Sequence, residues 1–276
     1  MTAPLLVIDA DALMHRAYHS MPPVKGHGGR PVNALLGFTN MLLGAWDSLG
    51  PRAVCVGIDS REPGYRNKLL PAYQGQREAF DAAIVEQLDD LQAFLEAFGI
   101  VAARPPKAEA DDAIATLATR EEEAGGKALV LTSDRDAFQL VSKKVTVVRP
   151  VKGVSEVEHV DPARVVEVYG VRPDQVIDLI ALRGDPSDNI PGAKGIGAKT
   201  AAKLLQAHGD LEGVLEARPD LNGDELRMYR SVATMQRDLP YQPPDDGAPD
   251  WAAGATAARE RGINRLADRL DERAAS

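Results

Sequence analysis

Four short runs of the chain are apolar almost without interruption: Leu5–Asp9, Ala53–Asp59, Ala128–Asp134 and Val145–Pro150. A strand buried on both faces reads this way, because neither side of its pleat meets water. Between them the patterns are helical, predicting helices over Asn33–Trp46, Asp81–Phe98 and Ala110–Glu123. Strands alternating with helices predict an α/β domain whose mostly parallel sheet is flanked by helices. After Pro150 the character changes. Val151–Val160 reads as a hairpin arm, and from Asp161 onward the patterns are almost all helical. Helix starts fall at Asp161-Pro162 and Arg172-Pro173, where proline suits a first turn. Helices over 174–183 and 198–207 bracket a glycine-rich loop. Tyr241–Asp250, with Pro243-Pro244 and Asp245-Asp246-Gly247, has linker composition, and Ile263, Leu266 and Leu270 mark an amphipathic helix that packs back on the body. The implied organisation is an α/β core over 1–160, a helical region over 161–240, and a linker with a terminal helix over 241–276. No long-period repeat is present.

Hydrophobic residues make up 44% and charged ones 26% of 276, which excludes global disorder. No run of 18 apolar residues exists to span a membrane. The N-terminal apolar stretch meets Asp9 too soon for a signal peptide. One cysteine, Cys55, excludes an intrachain disulfide and a cysteine-based zinc cluster, and suits a reducing cytoplasm. The formal charge of -9 argues at first sight against a nucleic-acid partner. Nine of the acids, however, fall in the motifs described next, and without them the chain is formally neutral. A neutral remainder with local basic patches still binds phosphate.

Three of the four strand runs end in aspartate: Val-Ile-Asp9, Gly-Ile-Asp59 and Thr-Ser-Asp134. Ligands gather at the carboxyl ends of parallel strands, so this repetition places three acids on one rim. Glu109-Ala-Asp111-Asp112 opens a helix, where the dipole favours acids and simple capping would account for them. Asp134-Arg-Asp136 joins a strand end to a helix start, and Asp185-Pro-Ser-Asp188-Asn is a tight loop in which aspartates also serve as turn residues. Each group alone has a structural explanation. Together they are harder to dismiss, because carboxylates converging on one rim repel one another unless cations lie between them. Oxygen donors without cysteine point to Mg²⁺ or Mn²⁺ rather than zinc. Nine carboxylates exceed what one Mg²⁺ uses, so two or more ions are expected; a pair about 3.5–4 Å apart is the arrangement that cleaves phosphodiesters.

The stretch Gly192-Ala-Lys194-Gly195-Ile-Gly197-Ala-Lys199-Thr200-Ala-Ala-Lys203 is no Walker A loop, because Ala198 separates the last glycine from its lysine. A polar loop, not a strand, precedes it, which also removes a dinucleotide fingerprint. Between two helices its glycines let backbone approach a phosphate, with amides of the second helix and the lysines adding charge. That is a sequence-independent grip on duplex backbone, against the plainer alternative of a tight helix–helix turn. A second basic element follows Asp59: Arg61, Tyr65, Arg66 and Lys68, then Tyr73 and Arg77. Cations interleaved with tyrosines suit a single-stranded or frayed end; a solvated surface loop is the alternative. Arg16 and Tyr18 stand close in sequence to Asp9. The five histidines form no metal-ligand spacing.

With these motifs in order between Leu5 and Arg237, the chain resembles the bacterial and phage 5′-nuclease (flap endonuclease) family, including the 5′-nuclease domain of bacterial DNA polymerase I. The resemblance implies a PIN-like core, a helical arch over the site, and a helix-three-turn-helix at 174–207 that binds duplex with a K⁺ ion. It implies Mg²⁺-dependent 5′→3′ exonuclease and 5′-flap endonuclease cleavage of DNA near single-strand/duplex junctions, in replication and repair. Asp9, Asp59 and the acids of 109–112 would mostly serve one metal site, and Asp134, Asp136, Asp185 and Asp188 the other, with an acid of the middle cluster bridging. Arg16, Arg66, Lys68 and Arg77 would act on the phosphate. Tyr18, Arg61, Tyr65, Gly192, Lys194, Gly195, Gly197, Lys199, Thr200 and Lys203 would contact DNA. The sequence departs from the family after Tyr73, where the usual lysine is Gln74. Arg66, Lys68 or Arg77 would have to compensate, and cleavage slower than in lysine-bearing relatives is expected. The arch region Glu78–Val85 also lacks the prolines and basic residues often seen there. The expected protein is a free-standing 5′-nuclease or equally a domain cut from a longer chain, a cytoplasmic monomer working with the nucleoid on flapped, nicked or gapped DNA, with no membrane role and no clear partner peptide for a polymerase or sliding clamp. The rivals are a PIN-type ribonuclease and a DNA-binding protein in which Gln74 has removed activity.

Overall fold

In the first strand, β1 (Leu5–Asp9), Leu5 and Val7 face one hydrophobic cluster while Leu6 and Ile8 face another. Side chains alternate across a pleat, and both faces of this strand are covered, so the sequence shows an unbroken apolar run. The computed structural model describes residues 3–77, 80–152 and 156–275. After β1 come α1 (Ala10–Ser20), α2 (Asn33–Leu49), β2 (Ala53–Gly57), α3 (Tyr65–Leu69), α4 (Ala82–Ala97) and β3 (Val101–Ala103). They are followed by α5 (Ala110–Glu123), β4 (Ala128–Leu131), β5 (Val145–Lys152) and β6 (Glu156–Val160). The rest is helical: α6 (Pro162–Tyr169), α7 (Val176–Arg183), α8 (Ala198–His208), α9 (Leu211–Ala217), α10 (Gly223–Ala233), α11 (Trp251–Glu260) and α12 (Asn264–Ala274).

The six strands form one sheet in the order β3-β2-β1-β4-β5-β6. All neighbours are parallel except β5 and β6; the antiparallel pairing starts earlier than the arm expected over Val151–Val160, because Val147–Lys152 of β5 pairs with β6. Residues 153–155 of that stretch lie outside the described residues. Strand β3 is an addition to the four runs read from sequence; three residues, Val-Ala-Ala, are too few to carry a pattern. Strands β2 and β4 end earlier than their apolar runs, so Asp59 and Asp134 sit in the loops just past the strand ends.

Chain order runs from β1 outward to β2 and β3, then crosses back to β4 on the other side of β1. That reversal opens a crevice at the carboxyl ends of β1 and β4, the switch point where open α/β sheets bind ligands. Helix α5 and the helices of 162–233 cover one face, and α1, α2, α4, α11 and α12 cover the other. The segment 241–250 has no regular structure and is tied to the body by Arg52, which donates to the Pro244 carbonyl at 2.8 Å and pairs with Glu121. Leu266 and Leu270 of α12 are buried against that body.

The region expected to arch over the site, Glu78–Val85, follows α3 and a run of turns from Pro71 to Gln76, and holds Phe80, Asp81 and the start of α4. Its residues 78–79 lie outside the described residues. Between α7 and α8 the loop 184–197 contains a bridge from Asp185 to Ile190 and left-handed glycines at 184, 192 and 195. At Gly192 the requirement is double: φ is 70°, and a Cβ would lie 2.3 Å from the Gly184 nitrogen.

Candidate metal centre

The crevice is a cleft of about 1430 Å³. Eight of the nine acids read from sequence line it: Asp9, Asp59, Glu109, Asp111, Asp134, Asp136, Asp185 and Asp188. Asp9 comes from the end of β1, Asp59 from the loop after β2, and Asp134 and Asp136 from the loop after β4. Glu109 and Asp111 open α5, and Asp185 and Asp188 belong to the loop after α7. A ninth carboxylate, Asp11, joins them from the first turn of α1. Its Oδ2 accepts the Asp59 N–H at 2.8 Å. The strand-end pattern does not mark Asp11, yet its two-residue spacing from Asp9 across a strand-to-helix junction was the available signal.

Local hydrogen bonds fix several of these groups. Asp9 accepts from the Ala12 N–H at 3.0 Å and from the Thr132 hydroxyl at 2.6 Å. Asp59 accepts from the Ala110 N–H at 2.5 Å, and Asp134 from the Asp136 N–H at 2.8 Å. Asp185 accepts from the Ser187 N–H at 2.8 Å. Asp111 has no hydrogen-bond or ion-pair partner among the described residues, although it stands with four other acids acting on it.

Among the described residues no three of these acids already form a closed ligand shell. The carboxylates ring the cleft and are held apart by their own donors and by mutual repulsion. Their electrostatics nonetheless fit a hard cation. Burial, with repulsion from Asp59 and Asp134, pushes Asp9 up to about 6. Burial first, then Asp59 and Asp188 against the nearby Arg66, brings Glu109 to about 7. Asp11, Asp111 and Asp136 are raised well above the ordinary carboxylate range, chiefly by burial and then by neighbouring acids. A crowd of all-oxygen donors destabilised in this way suits Mg²⁺-like ions, which take carboxylates and water.

A pH dependence follows. Asp9 and Glu109 titrate higher in the fold than their ordinary 3.8 and 4.5, so protonation favours the folded state. Their contribution is complete below about pH 4 and is lost as pH rises through 6 and 7. Millimolar Mn²⁺ is therefore expected to raise the melting temperature more at pH 8 than at pH 6. Scanning fluorimetry giving the same rise at both would contradict this.

Not every residue singled out in the sequence reaches the cleft. Asp112 is fully buried and turned away: Arg66 donates to its two oxygens at 2.7 and 2.8 Å, and the Gln236 N–H donates at 2.8 Å. We count Asp112 with the fold, not with the metal acids. Arg66 is 4% exposed, donates to the Val232 carbonyl at 3.0 Å, and does not line the cleft. The Tyr65 hydroxyl donates to the Thr234 carbonyl at 2.8 Å, with the Arg66 guanidinium over one face of its ring. Arg16 donates to the Val151 carbonyl at 2.9 Å, and Lys68 stands exposed on α3; neither lines the cleft. All five stand outside the cleft lining, where the other acids gather.

Arg61, Tyr18 and Arg77 do line it. Arg61 pairs with Asp89, the Tyr18 hydroxyl donates to Asp81 at 3.0 Å, and Arg77 pairs with Asp188 at 2.6 Å. His15, His19 and Phe80 join Tyr18 at the mouth, where His15 lies 4.4 Å from His19 and 5.8 Å from Phe80 between ring centres. Gly192, Lys194, Gly195, Gly197, Lys199, Thr200 and Lys203 form a separate face on the loop before α8 and its first turns. The lysines and Thr200 are exposed there, and Gly197 is the N-cap of α8.

The comparisons agree with this architecture. The family model for the 5′-3′ exonuclease N-terminal resolvase-like domain matches residues 4–170, and that for the 5′-3′ exonuclease C-terminal SAM fold matches 171–247. DNA polymerase I of Mycobacterium leprae is 40% identical over 240 residues, covering 85% of this chain and 26% of the polymerase. The thermostable DNA polymerase I of Thermus thermophilus is 34% identical over 278 residues, 97% of this chain and 32% of that protein. The chain thus spans roughly a quarter to a third of the length of these curated relatives. Among solved structures, the zinc-bound 5′-exonuclease of T5 is similar at a TM-score of 0.67 and 20% identity, covering 98% of both chains. Flap endonuclease-1 from Methanococcus jannaschii is similar at 0.64 and 16%, covering 99% of this chain and 93% of the other. Two consecutive family models over residues 4–247, on a sheet whose rim gathers the acids, make this chain a member of the 5′-3′ exonuclease family.

Proposed function

We infer that the chain is a metal-dependent 5′-nuclease that hydrolyses DNA phosphodiesters near single-strand/duplex junctions, both as a 5′→3′ exonuclease and on 5′-flaps. The observation that carries this is the ring of acids around one cleft, next to a glycine-lysine loop on a separate exposed face. In this reading Asp9, Asp59, Glu109 and Asp111 would hold one Mg²⁺ or Mn²⁺, and Asp134, Asp136, Asp185 and Asp188 a second. When bound, a pair of such ions supplies positive charge at the phosphate and acidifies an attacking water. The chain's own residues do the rest. The α8 N-terminus with Lys199 and Lys203 grips duplex backbone without reading sequence, and a K⁺ ion in that loop belongs to the same reading. Arg77 faces the cleft from its mouth, where it can meet a phosphate oxygen.

Among the described residues no helix is long and apolar enough to cross a membrane. A DNA substrate places the work in the cytoplasm beside the nucleoid, and we take the chain to act as a monomer.

Mg²⁺ titration on a labelled 5′-flap duplex, with the matching RNA alongside, tests the reading. Release of the flap is the expected result. Cutting of RNA alone would support a PIN-type ribonuclease, and a gel shift without products would support a pure DNA binder.

A further inference from the structure

Both carboxylate oxygens of Asp188 are taken by the segment that leads to the cleft mouth. Arg77 Nη2 donates to Oδ1 at 2.6 Å and Gln74 Nε2 to the same atom at 3.3 Å, while Tyr73 Oη lies 3.2 Å from Oδ2. Around this, the Gln74 N–H donates to the Asp188 carbonyl at 3.0 Å. Asn189 Nδ2 donates to the Ala72 carbonyl at 2.7 Å, and Gln76 Nε2 donates to Asn189 Oδ1 at 2.7 Å. Residues 72–77 are therefore docked on the loop 185–190.

Two features of the docked contact are unfavourable in themselves. Gln74 and Asn189, one on each side, have left-handed backbone at φ 53° and 57°. Glutamine seldom sits there, so the contact holds backbone that would relax if released. The Tyr73 hydroxyl has one proton, accepts from Gln74 Nε2 at 2.9 Å, and faces both Asp188 at 3.2 Å and Glu109 at 3.1 Å. One proton cannot satisfy two carboxylates.

An ion held by Asp188 would share an oxygen with the Arg77 or Tyr73 donor, and the Arg77 guanidinium charge beside Asp188 opposes a second cation there. We propose that Arg77 and a divalent ion compete for Asp188, so that filling this side of the centre undocks residues 72–77 and frees the Arg77 guanidinium for the strand being cut. The inference rests on reading the acids as metal ligands. Arg77 is half-exposed and lines the cleft, so it has room to move. Gln74 eases the exchange, because a lysine there would set a second cation against the incoming ion. Coupling of this kind is reciprocal: docking weakens ion binding by the same factor as a bound ion weakens docking.

Mn²⁺ binding to the DNA-free chain, followed by the paramagnetic signal of the free ion, measures the competition. Arg77→Ala is expected to bind Mn²⁺ about fivefold more tightly, the worth of a half-exposed ion pair. Gln74→Lys is expected to bind it more weakly, and Mn²⁺ to speed amide exchange at Gln74 in the unaltered chain. Arg77→Ala binding no tighter, Gln74→Lys binding no more weakly, or exchange at Gln74 left unchanged by bound Mn²⁺ would overturn the proposal. Absence of Mn²⁺ binding in the unaltered chain would overturn the metal reading itself, a result distinct from these.

Discussion

Asp111→Asn is expected to slow single-turnover cleavage of a 5′-flap by about 10³-fold, while the chain stays folded and still binds DNA. The expectation comes from the position of this one carboxylate. Asp111 opens α5 beside Asp9, Asp59, Glu109 and Asp134, with no donor of its own, and burial with repulsion holds its pKa far above the ordinary range. A group placed so unfavourably for stability is a candidate for function. The amide keeps the shape and removes the charge. The metal-free variant is therefore expected to melt about 2–4 °C higher, roughly 1 kcal/mol in a chain of this size. Rapid-quench rates and a thermal melt on the same preparation check both halves. A rate within tenfold of the unaltered chain would remove Asp111 from the centre.

Arg66→Ala is expected to act in the opposite sense, on the fold. Arg66 and Asp112 form a forked pair with side chains 5% and 0% exposed, joining α3 to α5. Removing the arginine leaves a buried carboxylate without its counter-ion, a loss of about 3–5 kcal/mol. The melting temperature should fall by about 10 °C or more. Adding Asp112→Asn to Arg66→Ala should recover much of that loss, because the amide oxygen still accepts from the Gln236 N–H while the stranded charge is gone. Melts of the two single variants and the double give the coupling. A melting temperature within 2 °C or so of the unaltered chain, together with collapsed cleavage, would return Arg66 to a catalytic role.

Arg66 also shows where sequence stopped being informative. Basic residues among tyrosines near an acidic motif suggest phosphate contact, but its partner Asp112 is distant in sequence, and the pattern cannot show a pair closed by tertiary packing. Asp112 was no more decidable, since helical spacing alone does not separate it from Asp111, and the structure turns it to the buried Arg66. The strand-end aspartates were legible because a parallel sheet forces its carboxyl ends onto one rim, whatever the loops do. Asp185 and Asp188 were legible only as a motif, since nothing in a polar turn shows that it folds back across the sheet. Strand β3 was invisible at three residues, and the docking of Gln74 on Asp188 depends on left-handed backbone that glutamine does not signal.

The central claim is that these acids hold paired divalent ions, and anomalous diffraction from crystals soaked in Mn²⁺ tests it most directly. Two peaks about 3.5–4 Å apart are expected in the cleft, one nearest Asp9, Asp59 and Asp111 and the other nearest Asp134, Asp136 and Asp185. A map with full-strength Mn²⁺ peaks elsewhere and none among these carboxylates would contradict it.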